Sequence, residues 1–261
     1  MLAFDHGYIM GPTAGLERID LVVPPLAPYV DVLMGTKGVI RSCVSPASPT
    51  ATCVRVTYDT TVLFDEMSNG GGIACDIENA IRMNADCMAV QTFIGAPEES
   101  RSLELLARTA DAGTRYGIPT LGVVAVGKQM ERTEKFFQLA TRVLAENGAN
   151  IVKSYYCEGF ERVAAACPVP IVIAGGKNCR NWKLWKWHTE PSTKVLMVWI
   201  WAEISSSPIL RKGWRQPLVK WCMKAIRQNR HMKCTKKSKT ANKGGLTYGS
   251  GIYAHRNPYH K

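Results

Sequence analysis

Seven short apolar runs, separated by longer amphipathic segments, fill the first two thirds of the chain. The runs are rich in β-branched or aromatic residues and are nearly continuous rather than alternating with polar ones. Such runs are typical of strands that are buried on both faces of a parallel sheet. They are Leu2–Asp5, Val30–Met34, Thr52–Thr57, Cys87–Ile94, Thr120–Val126, Ile151–Tyr156 and Pro170–Ala174.

The segments between these runs carry helical patterns. Residues 98–116 and 131–148 both repeat apolar side chains at helical spacing, and Gly148 is a stop signal for the second. Strands that alternate with helices in this way predict right-handed crossovers and a parallel sheet. Because no Gly-rich dinucleotide-binding turn follows a strand, the pattern favours a (β/α)8 TIM barrel over a doubly wound sheet.

The composition excludes several other classes of protein. With 261 residues and 46% hydrophobic side chains, the chain is neither disordered nor a disulfide-stapled miniprotein. No apolar run is long enough for a membrane-spanning helix, and Met1 is not followed by a signal-peptide pattern. None of the nine cysteines forms a CxxC pair. We therefore expect free thiols, a cytoplasmic location and no membrane partner.

The net charge of +12 hides a sharp break near Lys177. Residues 1–176 hold 14 Lys and Arg against 19 Asp and Glu, whereas residues 177–261 hold 19 against 2. All seven tryptophans lie between Trp182 and Trp221. A basic, tryptophan-rich stretch is typical of a nucleic-acid-binding module, which is one hypothesis for the tail.

In a barrel, functional side chains gather where the strands end. Lys153 lies within the sixth run, between Ile151 and Tyr155. Burial disfavours the charged form of a lysine, and a neutral amine attacks a carbonyl to give an iminium, which is an electron sink. The alternative is a lysine that reaches solvent at the strand end or pairs with Glu158.

Two further strand ends carry candidate residues. Asp5 and His6 end the first run; they are either catalytic or merely cap the following loop. Gly175 and Gly176 end the seventh run and either let backbone N–H groups approach a phosphate or form a simple turn.

Two more side chains are candidates for the substrate pocket. Arg55, on the third run, either meets an anion or balances Asp59, and Tyr155 lies two residues beyond Lys153. No pattern for a metal site accompanies them.

These residues stand in segments that resemble the Schiff-base (class I) barrel aldolases. The resemblance covers nearly all of residues 1–177 in order and is greatest for the branch that contains the autoinducer-2 aldolase/thiolase. The segments are MLAFDHGYIMGPTAGLERID, DVLMGTKGVIRS, GIPTLGVVAVGKQM, FFQLATRVLAENGANIVKSYY, GFERV and CPVPIVIAGGK.

The resemblance implies specific roles. Lys153 would be the Schiff-base lysine, Asp5 a proton-handling partner, and Gly175-Gly176 half of a phosphate site. The implied substrate is a small phosphorylated molecule, with no bound cofactor or metal and with coenzyme A as a co-substrate. Intact members of the family would form homo-oligomers.

The sequence departs from the family pattern in three places. Fructose-bisphosphate aldolases of this type carry an acid/base tyrosine on strand five, but residues 122–126 read GVVAV. This favours an aldolase/thiolase over a plain sugar-phosphate aldolase, which is the alternative. The family also has several tens of residues before strand one, and after AGGK it continues with a helix and an eighth strand, GVDMGRN.

The genetic code offers an explanation for the tail. When residues 178–187 are back-translated and read one base out of register, they permit KLPELEALEM, a suitable helix. The same offset over residues 197–204 permits GVDMGRN. We therefore predict that the reading frame slips near Lys177. Residues 1–177 would then be an aldolase-type barrel without strand eight, and residues 178–261 an out-of-frame tail rather than a native domain. We expect such a tail to pack little against the barrel and the chain as written to be inactive. The net charge of +12 would then come from the out-of-frame tail, and we expect no nucleic-acid partner.

Overall fold

The structure is a computed structural model that describes residues 1–13, 15–64, 71–126, 132–174, 195–197 and 199–200. All of them belong to the first of two compact units, Met1–Trp214, and the second unit is Arg215–Lys261. Gly175, Gly176 and nearly all of the basic tail lie outside the described residues.

Parallel strands form the main sheet of the described part of the chain. The strands in chain order are β1 (Leu2–Ala3), β2 (Val32–Thr36), β3 (Ala51–Arg55), β4 (Thr57–Tyr58), β5 (Gly72–Ile73), β6 (Cys87–Thr92), β7 (Thr120–Val124), β8 (Ile151–Tyr155), β9 (Ile171–Ala174), β10 (Val195–Met197) and β11 (Trp199–Ile200). All seven predicted runs are confirmed as strands, with boundaries that move by at most three residues.

Helices connect most of these strands. They are α1 (Gly7–Met10), α2 (Ile19–Val22), a 3-10 helix (Pro24–Tyr29), α3 (Lys37–Cys43), α4 (Ile77–Arg82), α5 (Glu99–Tyr116), α6 (Glu134–Glu146) and α7 (Phe160–Ala166). The two long predicted helices are confirmed as α5 and α6. Thr133 begins α6 by accepting a hydrogen bond from the Phe136 N–H group, and Gly117 ends α5 with a φ of 74°.

The strands follow the order of a barrel that winds once around. The neighbours in the sheet are β10-β9-β8-β7-β6-β3-β2-β1-β11, and every pair in this row is parallel. A (β/α) TIM barrel is therefore confirmed as the fold class. The antiparallel hairpin of β4 and β5 is an addition that the sequence patterns did not predict.

Short tail segments pair with both outer strands of the seven. Val195–Met197 pairs with β9, and Trp199–Ile200 pairs with β1. This differs from the expectation that the tail would pack little against the barrel. Unpaired N–H and C=O groups at a sheet edge accept any extended segment, because backbone pairing does not depend on side-chain identity. The barrel remains incomplete, since its last strand consists of segments of only three and two residues.

Two separate hydrophobic clusters lie on the two faces of the sheet. The outer cluster packs the strands against the helices and includes Phe137, Leu144 and Phe160. The inner cluster joins residues from β1, β2, β3, β6, β7 and β9, and most of its members are small, such as Ala3, Cys53 and Ala89. Small residues leave room inside the barrel.

One glycine is required by close packing at the barrel's first strands. A Cβ atom at Gly35 on β2 would collide with the ring of Phe4, the residue just before Asp5. The Phe4 N–H group also donates to the Met34 carbonyl oxygen at 2.9 Å. Gly35 therefore lets Phe4 pack tightly and fixes the direction in which the chain leaves β1.

Candidate active site

Three ionisable side chains are buried within the described part of the barrel. Asp5, Arg55 and Lys153 are 4%, 4% and 5% exposed. Asp5 lies two residues beyond β1, Arg55 ends β3, and Lys153 is the central residue of β8. Charged side chains are almost never fully buried unless they are paired or functional.

Asp5 and Arg55 form a buried ion pair. The Arg55 Nε and Nη2 groups both donate to Asp5 Oδ2, at 2.8 and 2.6 Å. Burial by itself would raise the pKa of Asp5, but the positive charges of Arg55 and Lys153 outweigh burial and lower it from 3.8 to about 2. Asp5 is therefore a carboxylate at neutral pH.

Lys153 has a different environment from the one expected of a structural lysine. Its Nζ atom contacts the Met34 sulfur, a weak acceptor, at 3.6 Å. Burial lowers the pKa of Lys153, and Asp5 opposes this effect while Arg55 adds to it. The suggested pairing with Glu158 does not occur, and the side chain does not reach solvent. A desolvated amine of this kind is a suitable nucleophile for a carbonyl.

His6 and Tyr8 flank the ion pair on the turn after β1. His6 is half-buried and burial lowers its pKa, with Asp5 opposing the shift. Tyr8 places its ring on Arg55, with the guanidinium carbon 5.3 Å from the ring centroid. The Tyr8 N–H group donates to the Asp5 carbonyl oxygen at 3.2 Å, which fixes the turn. The sequence reasoning named His6 but missed Tyr8.

Tyr155 points toward the helix layer. Its ring lies 6.5 Å from that of Phe137 on α6, and the Arg132 guanidinium carbon is 4.3 Å from its centroid. Tyr155 also contacts the inner cluster, so it lies at the boundary between the two cores. Its role in the substrate pocket stays a prediction.

Arg55 does not balance Asp59, the partner suggested by its closeness in sequence. Its partner is Asp5, which is 50 residues away along the chain. This pairing depends on how the barrel aligns β1 with β3, through β2. A lone aspartate and a lone arginine in two apolar strands are the only sequence signal for such a pair.

Several other site types find no support among the described residues. In those ranges no three His, Cys, Asp or Glu side chains gather closely enough to hold a metal ion. No described helix has both the length and the apolar character needed to cross a membrane. Five of the described cysteines are free thiols, namely Cys43, Cys53, Cys75, Cys87 and Cys157.

Solved structures of fructose-1,6-bisphosphate aldolases have a similar fold. The barrel is similar to a Schiff-base-forming fructose-1,6-bisphosphate aldolase, with a TM-score of 0.66 and 18% identity over 80% of this chain and 89% of that chain. It is also similar to an archaeal fructose-1,6-bisphosphate aldolase, with a TM-score of 0.63 and 19% identity over 75% and 84% of the two chains. At this level of identity the likeness shows the fold alone.

Curated relatives are much closer in sequence. An uncharacterised aldolase of Pasteurella multocida is 51% identical over 178 residues, which are 68% of this chain and 61% of that protein. The 3-hydroxy-5-phosphonooxypentane-2,4-dione thiolase of Photorhabdus laumondii is 50% identical over 178 residues, 68% of this chain and 60% of that protein. The chain thus spans about three fifths of the length of these relatives.

A family model agrees with these relatives. The DeoC/LacD aldolase model matches residues 1–182, which include all three buried ionisable residues. The chain therefore belongs to the DeoC/LacD family of aldolases.

Proposed function

We propose that this chain carries the Schiff-base site of an aldolase/thiolase acting on a phosphorylated dione or ketose. In this proposal a carbon–carbon bond of the substrate breaks and the released acetyl group passes to coenzyme A. The observation that carries it is Lys153, a buried amine whose pKa is lowered by burial and whose Nζ atom has the Met34 sulfur, a weak acceptor, as its hydrogen-bond partner. Relatives named as thiolases support the choice of reaction.

Each bond change in the proposed reaction is balanced. The Lys153 nitrogen adds to a carbonyl carbon, and that carbonyl oxygen leaves as water to give the iminium. The bond between the next carbon, the α carbon, and the acetyl carbonyl carbon then breaks, and its electron pair forms the carbon–carbon double bond of an enamine with the iminium carbon. The coenzyme A sulfur bonds to the acetyl carbon, and the thiol proton ends on the carbon left behind. Hydrolysis of the remaining iminium restores Lys153.

Asp5, held in place by Arg55, would supply a negative charge to the site during these steps. The ionised Asp5 carboxylate stabilises the positive iminium that forms on Lys153, because unlike charges attract strongly where water is excluded. With a pKa of about 2, Asp5 is a weak base. We therefore propose that the Asp5 carboxylate stabilises positive charge near it without taking up a proton itself. His6, whose Nδ1 atom is unpartnered, supplies the exchangeable proton.

The phosphate-binding site, called here the phosphate grip, depends on residues outside the described ranges. We propose that Gly175-Gly176 binds the phosphate together with the GVDMGRN loop of the offset frame. Positioning of this kind holds the carbonyl carbon against the amine. A chain with only half of the grip would turn over little. The nucleotide sequence tests the frame: a stop codon in the offset frame before GVDMGRN would exclude a slip.

Borohydride trapping tests the role of Lys153. In a frame-restored protein that also carries the family's N-terminal segment, substrate and borohydride should leave a covalent adduct on Lys153, located by peptide mass spectrometry. Lys153→Arg should abolish the adduct, because a guanidinium stays protonated and cannot attack. Lys37→Arg is the matched control, since Lys37 is exposed and donates to the Ala74 carbonyl oxygen. Labelling of Lys37 with Lys153→Arg unaffected would contradict the assignment.

A coenzyme A assay separates the proposed reaction from the alternative, a class I fructose-bisphosphate-type aldolase. Strand β7, Thr120–Val124, carries no tyrosine, which disfavours the alternative. Turnover of a phosphorylated dione that requires coenzyme A and yields acetyl-coenzyme A supports the thiolase. Cleavage of fructose 1,6-bisphosphate at an equal rate with and without coenzyme A supports the alternative.

A further inference from the structure

Unpartnered polar atoms cluster around the buried ion pair. Four buried side-chain nitrogen or oxygen atoms of the described residues have no hydrogen-bond partner, and they are His6 Nδ1, Tyr8 Oη, Thr13 Oγ1 and Arg55 Nη1. Three of the four belong to residues that touch or adjoin Asp5. Buried polar groups are nearly always paired, so a local group of unpaired ones needs an explanation.

Arg55 directs one donor away from its partner. Its Nε and Nη2 groups are both used by Asp5 Oδ2, and its side chain is only 3% exposed. The guanidinium is planar and rigid, so the two bonds to Asp5 also fix the direction of Nη1. An unpaired N–H group of a buried cation is the most costly kind of unsatisfied donor.

Tyr8, whose ring packs on Arg55, adds a second unpartnered donor. Its ring lies on the Arg55 guanidinium, and its hydroxyl is buried without a partner. Burial raises the pKa of Tyr8 to about 12, although the charge of Arg55 opposes the shift. At neutral pH the hydroxyl therefore keeps its proton and remains a donor.

We propose that Arg55 Nη1 and the Tyr8 hydroxyl together bind an oxygen that the substrate carries on the carbon next to the carbonyl that Lys153 attacks. This inference rests on the proposed function and names the residues that select its substrate. Two donors match a hydroxyl or keto oxygen and leave a methyl or methylene group unmatched. The substrate is therefore oxygenated beside the reacting carbonyl, and deoxy analogues are rejected.

Two small phosphates that differ by one hydroxyl provide the probe. Dihydroxyacetone phosphate has a hydroxymethyl group beside its carbonyl, and hydroxyacetone phosphate has a methyl group there. In the frame-restored protein that is used for trapping, half-maximal borohydride labelling of Lys153 should require about tenfold less of the hydroxylated compound, the factor expected from one hydrogen bond to a charged donor. In Tyr8→Phe the two concentrations should approach each other, with little change for hydroxyacetone phosphate.

A matched control and a noncovalent measurement complete the test. Tyr116→Phe makes the same change on an exposed side chain at the end of α5 and should keep the tenfold preference. Lys153→Met cannot form a Schiff base, so its dissociation constants for the two phosphates, measured by ligand-observed NMR, report the oxygen site alone. The same preference should appear there.

The outcomes separate this inference from the proposed function. Labelling of Lys153 without a preference, or a preference that Tyr8→Phe leaves unchanged, overturns the inference and keeps the Schiff-base lysine. A preference in Lys153→Met without labelling of Lys153 in the frame-restored protein that keeps this lysine supports the inference and overturns the lysine's role. If neither compound binds or labels, both are overturned.

Discussion

Buried polar side chains are satisfied in different ways on the two sides of the sheet. In the helix layer, Thr109 and Thr141 each donate to the carbonyl oxygen four residues earlier in the same helix, at 2.8 and 2.7 Å. Inside the barrel, Asp5 and Arg55 form an ion pair across 50 residues of chain, and Arg55 Nη1 keeps no partner. The outer layer is stabilised by local, neutral contacts, whereas the inner site depends on charges that only the assembled barrel brings together.

Breaking the inner ion pair should have the largest effect on stability. Asp5→Asn leaves the Arg55 charge buried without its counter-ion, and we expect a loss of about 3 to 5 kcal/mol in the free energy of unfolding. Denaturant titration at pH 7 measures it. The double variant Asp5→Leu with Arg55→Met removes both charges and should lose less than Asp5→Asn alone. An equal or larger loss in the double variant would contradict this account.

A cavity in the outer layer should have a somewhat smaller effect and leave the site intact. Leu144 is fully buried on α6 against the glycine of β7, Gly122. Leu144→Ala should lower the free energy of unfolding by about 3 kcal/mol. The yield of borohydride adduct on Lys153 should not change below the denaturation midpoint. A parallel loss of labelling would show that the two faces are not independent.

Acid should weaken the buried ion pair of the inner site. The folded pKa of Asp5 is about 2 and its ordinary value is 3.8, so its contribution is present above pH 4 and is lost as the pH falls toward 2. We expect this group to account for about 2 kcal/mol of the acid-dependent loss, from the shift and the 1.36 kcal/mol per pKa unit. Urea titrations from pH 6 to pH 2 measure it. Leu144→Ala should keep this dependence and Asp5→Asn should lack that part of it.

An exposed ion pair on the outer surface should have the smallest effect. Arg142 and Glu146 lie one turn apart on α6, with Nε 2.6 Å from Oε1, and both side chains are more than half exposed. Glu146→Gln should change the free energy of unfolding by about 0.5 kcal/mol or less. A thermal midpoint shift of several degrees would contradict the ranking of buried over exposed pairs.

The elements that sequence patterns predicted well are those whose burial is continuous along the chain. The strand Cys87–Thr92 is a continuous apolar run, and the helix Glu99–Tyr116 repeats apolar residues at helical spacing, so each is predictable from its own residues. The hairpin of β4 and β5 was missed because two-residue strands carry no periodicity.

Individual residues of the candidate site were predictable from the sequence, but the contact between Asp5 and Arg55 was not. A lysine among apolar β-branched neighbours is a local signal, and so Lys153 was found. The sequence left Arg55 open between an anion and Asp59 and did not indicate Asp5, because distance along the chain says nothing about which strand ends meet in a barrel. Tyr8 was overlooked since a tyrosine three residues after an aspartate has no distinctive pattern until its hydroxyl is seen to be buried.

The edges of β9 and β1 are paired by two short segments of the tail, β10 and β11. Val195–Met197 pairs with β9 and Trp199–Ile200 pairs with β1, both in parallel register. An uncovered edge would recruit other chains, and covering it lowers that tendency whatever side chains the segment carries. Pairing at β1 and β9 therefore lowers the tendency of these strands to pair with a second chain, and this requirement is separate from the chemistry of the site.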